Sequence, residues 1–269
     1  MRHWLITGIS SGLGRALAET ALDRGDRVTG TIRDPDAHAA FIALAPGRAS
    51  AVALDVTDRM AIARTVAAAG PIDILVNNAG FSLEGMLEAT SIDEIQCQID
   101  VHLIAPVLFI QAVLPGMRKR RAGHIISIGS LAAHLAGSGV AAYAAAKAAL
   151  ETVSDNLASE LSPFGISVTT VVPGAFRTGL GLSRRSASGL IEDYASADET
   201  RRAWFAAHSA SPRGDPAKAA GAIFALTEME NPPVTFAMGP DAIAGMRSHA
   251  ADLLQCAQMS QGLNFDTDF

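Results

Sequence analysis

Short apolar runs alternate along this chain with longer stretches in which apolar positions recur at helical spacing. Trp4 to Thr7, Arg27 to Ile32, Ala51 to Leu54, Ile72 to Asn77, His124 to Gly129 and Ser167 to Val172 read as strands. Arg15 to Arg24, Arg59 to Ala69, Ser91 to Arg120 and Val140 to Leu161 read as helices, the third bent near Pro106. The strands around Ile74 and Val171 are nearly continuous in apolar residues, the mark of burial on both faces. Strand and helix alternating in this way need crossover connections, which predicts a three-layer, doubly wound α/β fold around a mostly parallel sheet of about seven strands.

Beyond Val172 the alternation stops. Residues 175–211 are rich in Gly, Ser and Arg, with Leu180, Leu182, Leu190, Trp204 and Phe205 scattered among them. They read as a mobile lid, because ligands of such sheets bind outside the carboxyl ends of the strands and a late insertion hangs over them. Pro216 to Glu228 reads as a helix, Val234 to Met238 as a last strand, and the tail over 241–259 as a helix. No internal repeat interrupts the pattern, so a single domain over residues 1–269 is expected.

Composition narrows the partners. Hydrophobic residues make up 49% and charged residues 18%, ample for a large core, and the net charge of −6 argues against a nucleic-acid partner. The one basic run, Arg118 to Arg121, falls at a helix C-terminus, where cations complement the dipole. Cys97 and Cys256 are too far apart in sequence for a metal-ligand spacing, and they outline no disulfide framework, so no metal site is expected. The most apolar stretch, Val101 to Met117, is interrupted by His102, Pro106, Gln111 and Pro115, which argues against a membrane span. The first strand begins within a few residues of Met1 and leaves no room for a signal peptide, so a cytoplasmic location is expected.

Candidate chemistry begins at Thr7-Gly8-Ile9-Ser10-Ser11-Gly12-Leu13-Gly14, between the first strand and the first helix. Glycines there allow a tight turn and close approach of a pyrophosphate, while the helix N-terminus offers unpaired N–H groups to the anion. Tyr143 and Lys147 are four apart on a helix and share a face, so a lysine cation can favour the phenolate and lower a pKa that is ordinarily about 10. Ser130, thirteen residues before the tyrosine, can donate a hydrogen bond to a carbonyl oxygen on which charge develops. A tyrosine and lysine so spaced occur in many helices; Ser130 and the glycine turn give the pair its weight.

The order Thr-Gly-x-x-x-Gly-x-Gly, Asn77-Asn78-Ala79-Gly80, Ser130, Tyr143-x-x-x-Lys147 and Pro173-Gly174 with Thr178 resembles the short-chain dehydrogenases/reductases over roughly residues 3 to 240. The resemblance implies a Rossmann fold and hydride transfer between a nicotinamide cofactor and a carbonyl or alcohol. Tyr143 would give or take the proton, Lys147 would also hold the nicotinamide ribose, and Ser130 would position substrate. Gly8, Ser10, Ser11, Gly12, Leu13, Gly14, Asp55 with Val56, Asn77, Ala79, Gly80, Pro173, Gly174, Phe176 and Thr178 would line the cofactor. One position departs: His102 stands where the family usually has an asparagine of the catalytic tetrad. It would take over that residue's bonds or hold a proton, or else be a core histidine satisfied by a backbone carbonyl.

The second strand ends at Ile32-Arg33 instead of on the acid that favours NAD, so NADP(H) is expected, with Arg33 and the Ser10 or Ser11 hydroxyl on the 2′-phosphate. NAD(H) remains open, because Asp34 follows directly and can neutralise Arg33. His134, Leu135, Val140, Leu180, Trp204 and Phe205 are the expected substrate lining, apolar enough for an apolar carbonyl compound. The Thr-Gly-x-Ser-Ser-Gly turn, Arg33 and the helical tail look similar to the hydroxysteroid and retinol dehydrogenase branch. Resemblance and the alanine-rich face of the Val140 to Leu161 helix imply a homodimer. The rival readings are a non-catalytic NADP(H) sensor on the same fold and a sugar-nucleotide epimerase or dehydratase.

Overall fold

Nine strands and nine helices follow one another in the computed structural model, which describes residues 1–137, 139–176, 184–209 and 214–262. In chain order these are β1 (His3–Thr7), α1 (Gly12–Asp23), β2 (Arg27–Ile32), α2 (His38–Ile42), β3 (Ala49–Ala53), α3 (Arg59–Ala69), β4 (Ile74–Asn77) and β5 (Ser82–Glu84). Then come α4 (Ile92–Ile99), α5 (Ala105–Arg120), β6 (Gly123–Ile128), α6 (Ala141–Leu161), β7 (Ile166–Pro173), β8 (Arg184–Ser186), α7 (Ala195–Ser209), α8 (Pro216–Leu226), β9 (Thr235–Met238) and α9 (Pro240–Gly262). Seven strands form one sheet in the order β3-β2-β1-β4-β6-β7-β9, with every pairing parallel. The strand order reverses between β1 and β4, and the crevice at that switch point is where a doubly wound sheet takes its ligand.

Alternation along β1 shows how the layers are built. Trp4 and Ile6 point to one face and join Leu17, Val28 and Phe224 beneath α1 and α8, while Leu5 points to the other and joins Ile62, Leu75, Phe109 and Val168 beneath α3 and α5. Trp4 is fully buried, and its indole N–H donates to Asp26 at 2.9 Å, so its one polar atom is satisfied. Phe109 is equally enclosed; truncating it to alanine would cost about 3–5 kcal/mol.

The helix expected over Ser91 to Arg120 runs from Ile92 to Arg120 and starts at a capping box, in which Ser91 and Glu94 satisfy each other's backbone N–H. The bend expected near Pro106 is supplied by a π turn, Asp100–Ile104, that leaves Pro106 in the first turn of α5, where its missing N–H is harmless. Among the described residues this is the one helix long and apolar enough to cross a membrane, and it lies against the sheet with Phe109, Ile110, Val113 and Met117 buried.

The expected irregular lid contains two regular elements. β8 pairs in parallel with β5, a strand the sequence pattern did not disclose, and α7 follows. Charge holds them in place: Glu84 of β5 pairs with Arg184 of β8 at 3.1 Å and with buried Arg201 of α7 at 2.9 Å. A three-residue Arg-Arg-Ser strand fixed by ion pairs has no apolar period to read.

Candidate active site

The glycine turn leads from β1 into α1. Gly8 has φ +73°, open to a residue without Cβ, and its N–H donates to the Thr31 carbonyl of β2. At Gly14 a Cβ would stand 2.4 Å from the Gly8 carbonyl oxygen and 2.3 Å from the Asn78 amide nitrogen, so no larger residue fits. Asn78 ties the turn down: its amide donates to the carbonyls of Thr7 at 2.8 Å and Gly8 at 3.0 Å. The Thr7 hydroxyl oxygen accepts from the Asn78 and Ala79 N–H groups. Ser11, at the N-cap of α1, makes no side-chain cap bond, and the first turn carries no acid, which leaves the helix N-terminus open to an anion.

Asn78 is a residue that sequence reasoning missed as a part of the turn that Thr7 opens. The available signal was strand alternation: Asn77 and Asn78 face opposite sides, and Asn77 is buried at a small cavity beside Val56, Ala79 and Phe109 with both amide atoms unpartnered. Leu13 belongs to the core under α1. Asp55 is held below the usual carboxylate range, first by the Thr57 N–H at 2.9 Å and then by the Thr57 hydroxyl and the positive field of Arg33 and Arg185. It does not cap α3; Asp58 does. Arg33 lies exposed beyond the end of β2.

Ser130, just past β6, takes an extended backbone and accepts from the Ala132 N–H at 3.1 Å. It is hydrogen-bonded to Tyr143 on α6. Tyr143 and Lys147, one turn apart, are 7% and 5% exposed. Lys147 Nζ donates to the Ile128 carbonyl at 2.6 Å and stands 5.9 Å from the Tyr143 ring centroid. Burial draws the Lys147 ammonium down to about 7. The Tyr143 phenol is pushed up by burial, with Ser130 pulling the other way.

His102 sits in the π turn, edge-on to Tyr143 with ring centroids 5.2 Å apart. Its Nε2 lies 2.7 Å from the Phe81 carbonyl oxygen, so Nε2 carries the proton and donates, and Nδ1 is left a buried, unpartnered acceptor. Burial first and the Lys147 charge second lower its pKa to about 3, against a smaller upward pull from the Phe81 carbonyl. Burial therefore favours the neutral ring, which sits on a backbone carbonyl and borders the tyrosine.

Of the expected substrate lining, His134 is occupied elsewhere, with Nε2 3.0 Å from Glu151 of α6 and its ring 5.6 Å from that of His249 on α9. Val140 is buried and Leu135 exposed. Thr178 and Leu180 lie outside the described residues, as do the side chains of Trp204 and Phe205 on α7. At the end of β7 the Gly174 N–H donates to the Met238 carbonyl, the Ala175 N–H donates to Asp241 at 2.6 Å, and Phe176 packs against the core beside Gly214.

A doubly wound parallel sheet with an open glycine turn at its switch point, and with a serine, tyrosine and lysine gathered beside it, defines an oxidoreductase of the dinucleotide-fold class. The chain belongs to the short-chain dehydrogenase family, whose model matches residues 2–188. It is similar to a 3-ketodihydrosphingosine reductase of Bacteroides thetaiotaomicron, 35% identical over 243 residues that cover 88% of this chain and 87% of the relative. Among solved structures it resembles a short-chain dehydrogenase from Streptomyces avermitilis, 37% identical with a TM-score of 0.91 over 99% of this chain and 98% of that one. It also resembles the closed form of a serine dehydrogenase complexed with NADP+, 27% identical with a TM-score of 0.77 over 88% and 94%.

Proposed function

We propose that this protein interconverts a carbonyl and an alcohol on an apolar substrate, using NADP(H). The observation that carries the reading is the Ser130–Tyr143 hydrogen bond next to buried Lys147. When bound, the nicotinamide supplies or accepts the hydride. In the reducing direction the Tyr143 hydroxyl delivers the proton to the carbonyl oxygen, Ser130 holds that oxygen, and Lys147 in its charged form stabilises the resulting phenolate. A positioned acid of this kind is worth about 10²–10⁴ in rate.

The residues at the switch point fit a dinucleotide: the uncapped α1 terminus takes an anion, and the Gly14 position has room only for hydrogen. Arg33 beyond β2 supports NADP(H) over NAD(H), as does the NADP+ in the serine dehydrogenase. A keto-sphingoid reductase among the relatives supports an apolar ketone. A homodimer through α5 and α6 is part of the same reading, supported by the exposed Ala141 and Ala145 on α6; sedimentation as a monomer at micromolar concentration would exclude it.

The test is oxidation of NADPH and NADH against ketones, aldehydes, steroids and quinones, with Tyr143→Phe as control. Turnover that prefers NADPH and drops by about 10²–10⁴ in the variant is expected. Tight NADPH binding without turnover on any substrate would point instead to a nucleotide sensor.

A further inference from the structure

We propose that Arg185, carried on β8, is a phosphate-binding residue of the cofactor site that pairs with the pyrophosphate of a dinucleotide held at the glycine turn. The inference rests on the dinucleotide reading above and names a residue that the glycine turn does not supply.

Strand geometry sets the direction of the side chain. β8 pairs with β5 in the register Ser82 to Arg184, Leu83 to Arg185 and Glu84 to Ser186. Arg184 shares the face of Ser82 and Glu84 and is tied to Glu84. Arg185 therefore falls on the opposite face, that of Phe81 and Leu83, and its guanidinium carbon rests 4.2 Å from the Phe81 ring centroid. Among the described residues it makes no ion pair, unlike its neighbour Arg184. The result is a cation on an aromatic platform that reaches the Asp55 carboxylate only through its field, with no direct ion pair among the described residues.

Its position over the crevice follows from the strand order. Phe81 follows Asn77–Gly80 at the carboxyl end of β4, and Asp55 follows β3 on the same edge; the order β3-β2-β1-β4 puts the β1 glycine turn between them. Those outer strands are about 14 Å apart at the usual spacing. A guanidinium that rests on Phe81 and is also felt at the Asp55 carboxylate lies between the two, on the carboxyl edge of the sheet that carries the β1 glycine turn. Arg33 approaches the same edge from β2, the strand that carries 2′-phosphate selectivity, which leaves the pyrophosphate to Arg185. The planar fork of arginine suits it to two phosphate oxygens at once, and stacking on Phe81 holds the fork in place beforehand.

The experiment is direct binding of NADPH and NADH, read by calorimetry, to the wild-type protein and to Arg185→Gln, Arg185→Lys and Arg33→Gln. Loss of a charge-assisted phosphate bond weakens binding by about tenfold to a hundredfold. Arg185→Gln is expected to weaken both cofactors by the same factor and to flatten the salt dependence, with part of the loss recovered in Arg185→Lys. Arg33→Gln is expected to weaken NADPH alone. Unchanged affinity in Arg185→Gln overturns the proposal, and so does a loss confined to NADPH, which would place the cation on the 2′-phosphate. A wild-type protein that binds neither cofactor would overturn the dinucleotide reading itself, and the wild-type titration separates that failure from the other two.

Discussion

Replacing His102 with asparagine should make the protein more resistant to acid. In the folded chain the His102 ring is 2% exposed and its pKa lies near 3, against 6.5 for the free side chain. A lowered histidine pKa means that the unfolded chain binds the proton more readily than the fold. Above pH 6.5 neither state is protonated and nothing is lost; as pH falls from 6.5 toward 3 the unfolded state is favoured progressively. At pH 5 that difference amounts to about 2 kcal/mol. The charged groups that face the ring do not mask it. Tyr143 stays neutral throughout, and Lys147, near 7, is already mostly charged in both states by pH 6 and adds little of its own between pH 7 and pH 5. Asparagine retains a donor for the Phe81 carbonyl, does not titrate, and leaves a cavity whose cost is the same at both pH values. Urea unfolding of both proteins at pH 7 and pH 5 measures the difference. The wild type should lose about 2 kcal/mol more over that interval than His102→Asn. Equal losses would show that the imidazole takes up its proton within the fold, and the burial argument would fail.

Three further outcomes follow from the site. For carbonyl reduction, kcat/KM should be level below pH 7 and fall as pH rises through about 7, because charged Lys147 is then lost while Tyr143 keeps its proton; a profile flat to pH 9 would remove the lysine charge from the mechanism. Gly14→Ala should abolish dinucleotide binding in calorimetry and cost about 1–3 kcal/mol in urea unfolding, since its Cβ meets the Gly8 carbonyl and the Asn78 amide; normal binding would show that the turn can relax. Arg201→Met should loosen α7 and cost about 3 kcal/mol or less, as Glu84 keeps Arg184; faster limited proteolysis within 184–209 is the readout, and an unchanged cleavage rate would mean that the ion pair does not hold the helix.

Periodicity reveals the parallel sheet because its strands are buried on both faces and its long helices bury a stripe; β1, β4 and β7 are apolar enough to be read directly. The glycine turn and the Tyr143–Lys147 pair are equally legible, because each spacing answers a local geometric need, while Ser130 was singled out by the resemblance. β5, β8 and α7 are hidden for the opposite reason. They are fixed by Glu84, Arg184 and Arg201, and ion pairs between distant residues leave no period in the chain. Asn78 was overlooked in favour of Asn77 because only the register of β4 shows which of the two faces the turn. The rise in the Tyr143 pKa is a property of burial, and nothing at positions 143 and 147 announces how deeply the fold encloses them.

The four residues from Phe81 to Glu84 join parts of the molecule that the sheet alone would leave separate. The Phe81 carbonyl holds His102, whose ring borders Tyr143, and the Phe81 ring carries Arg185. Three residues on, Glu84 holds β8 through Arg184 and α7 through Arg201. A displacement of this short strand therefore reaches Tyr143 through one hydrogen bond and one ring contact, and reaches β8 and α7 through two ion pairs. β5 begins two residues after Gly80, and Arg185 rests on Phe81 while its strand pairs with β5, so a force on Arg185 is a force on the same strand. The coupling needs no long pathway: every link is a direct contact, and Glu84, buried together with Arg201 and also paired with Arg184, makes the outer links costly to break one at a time.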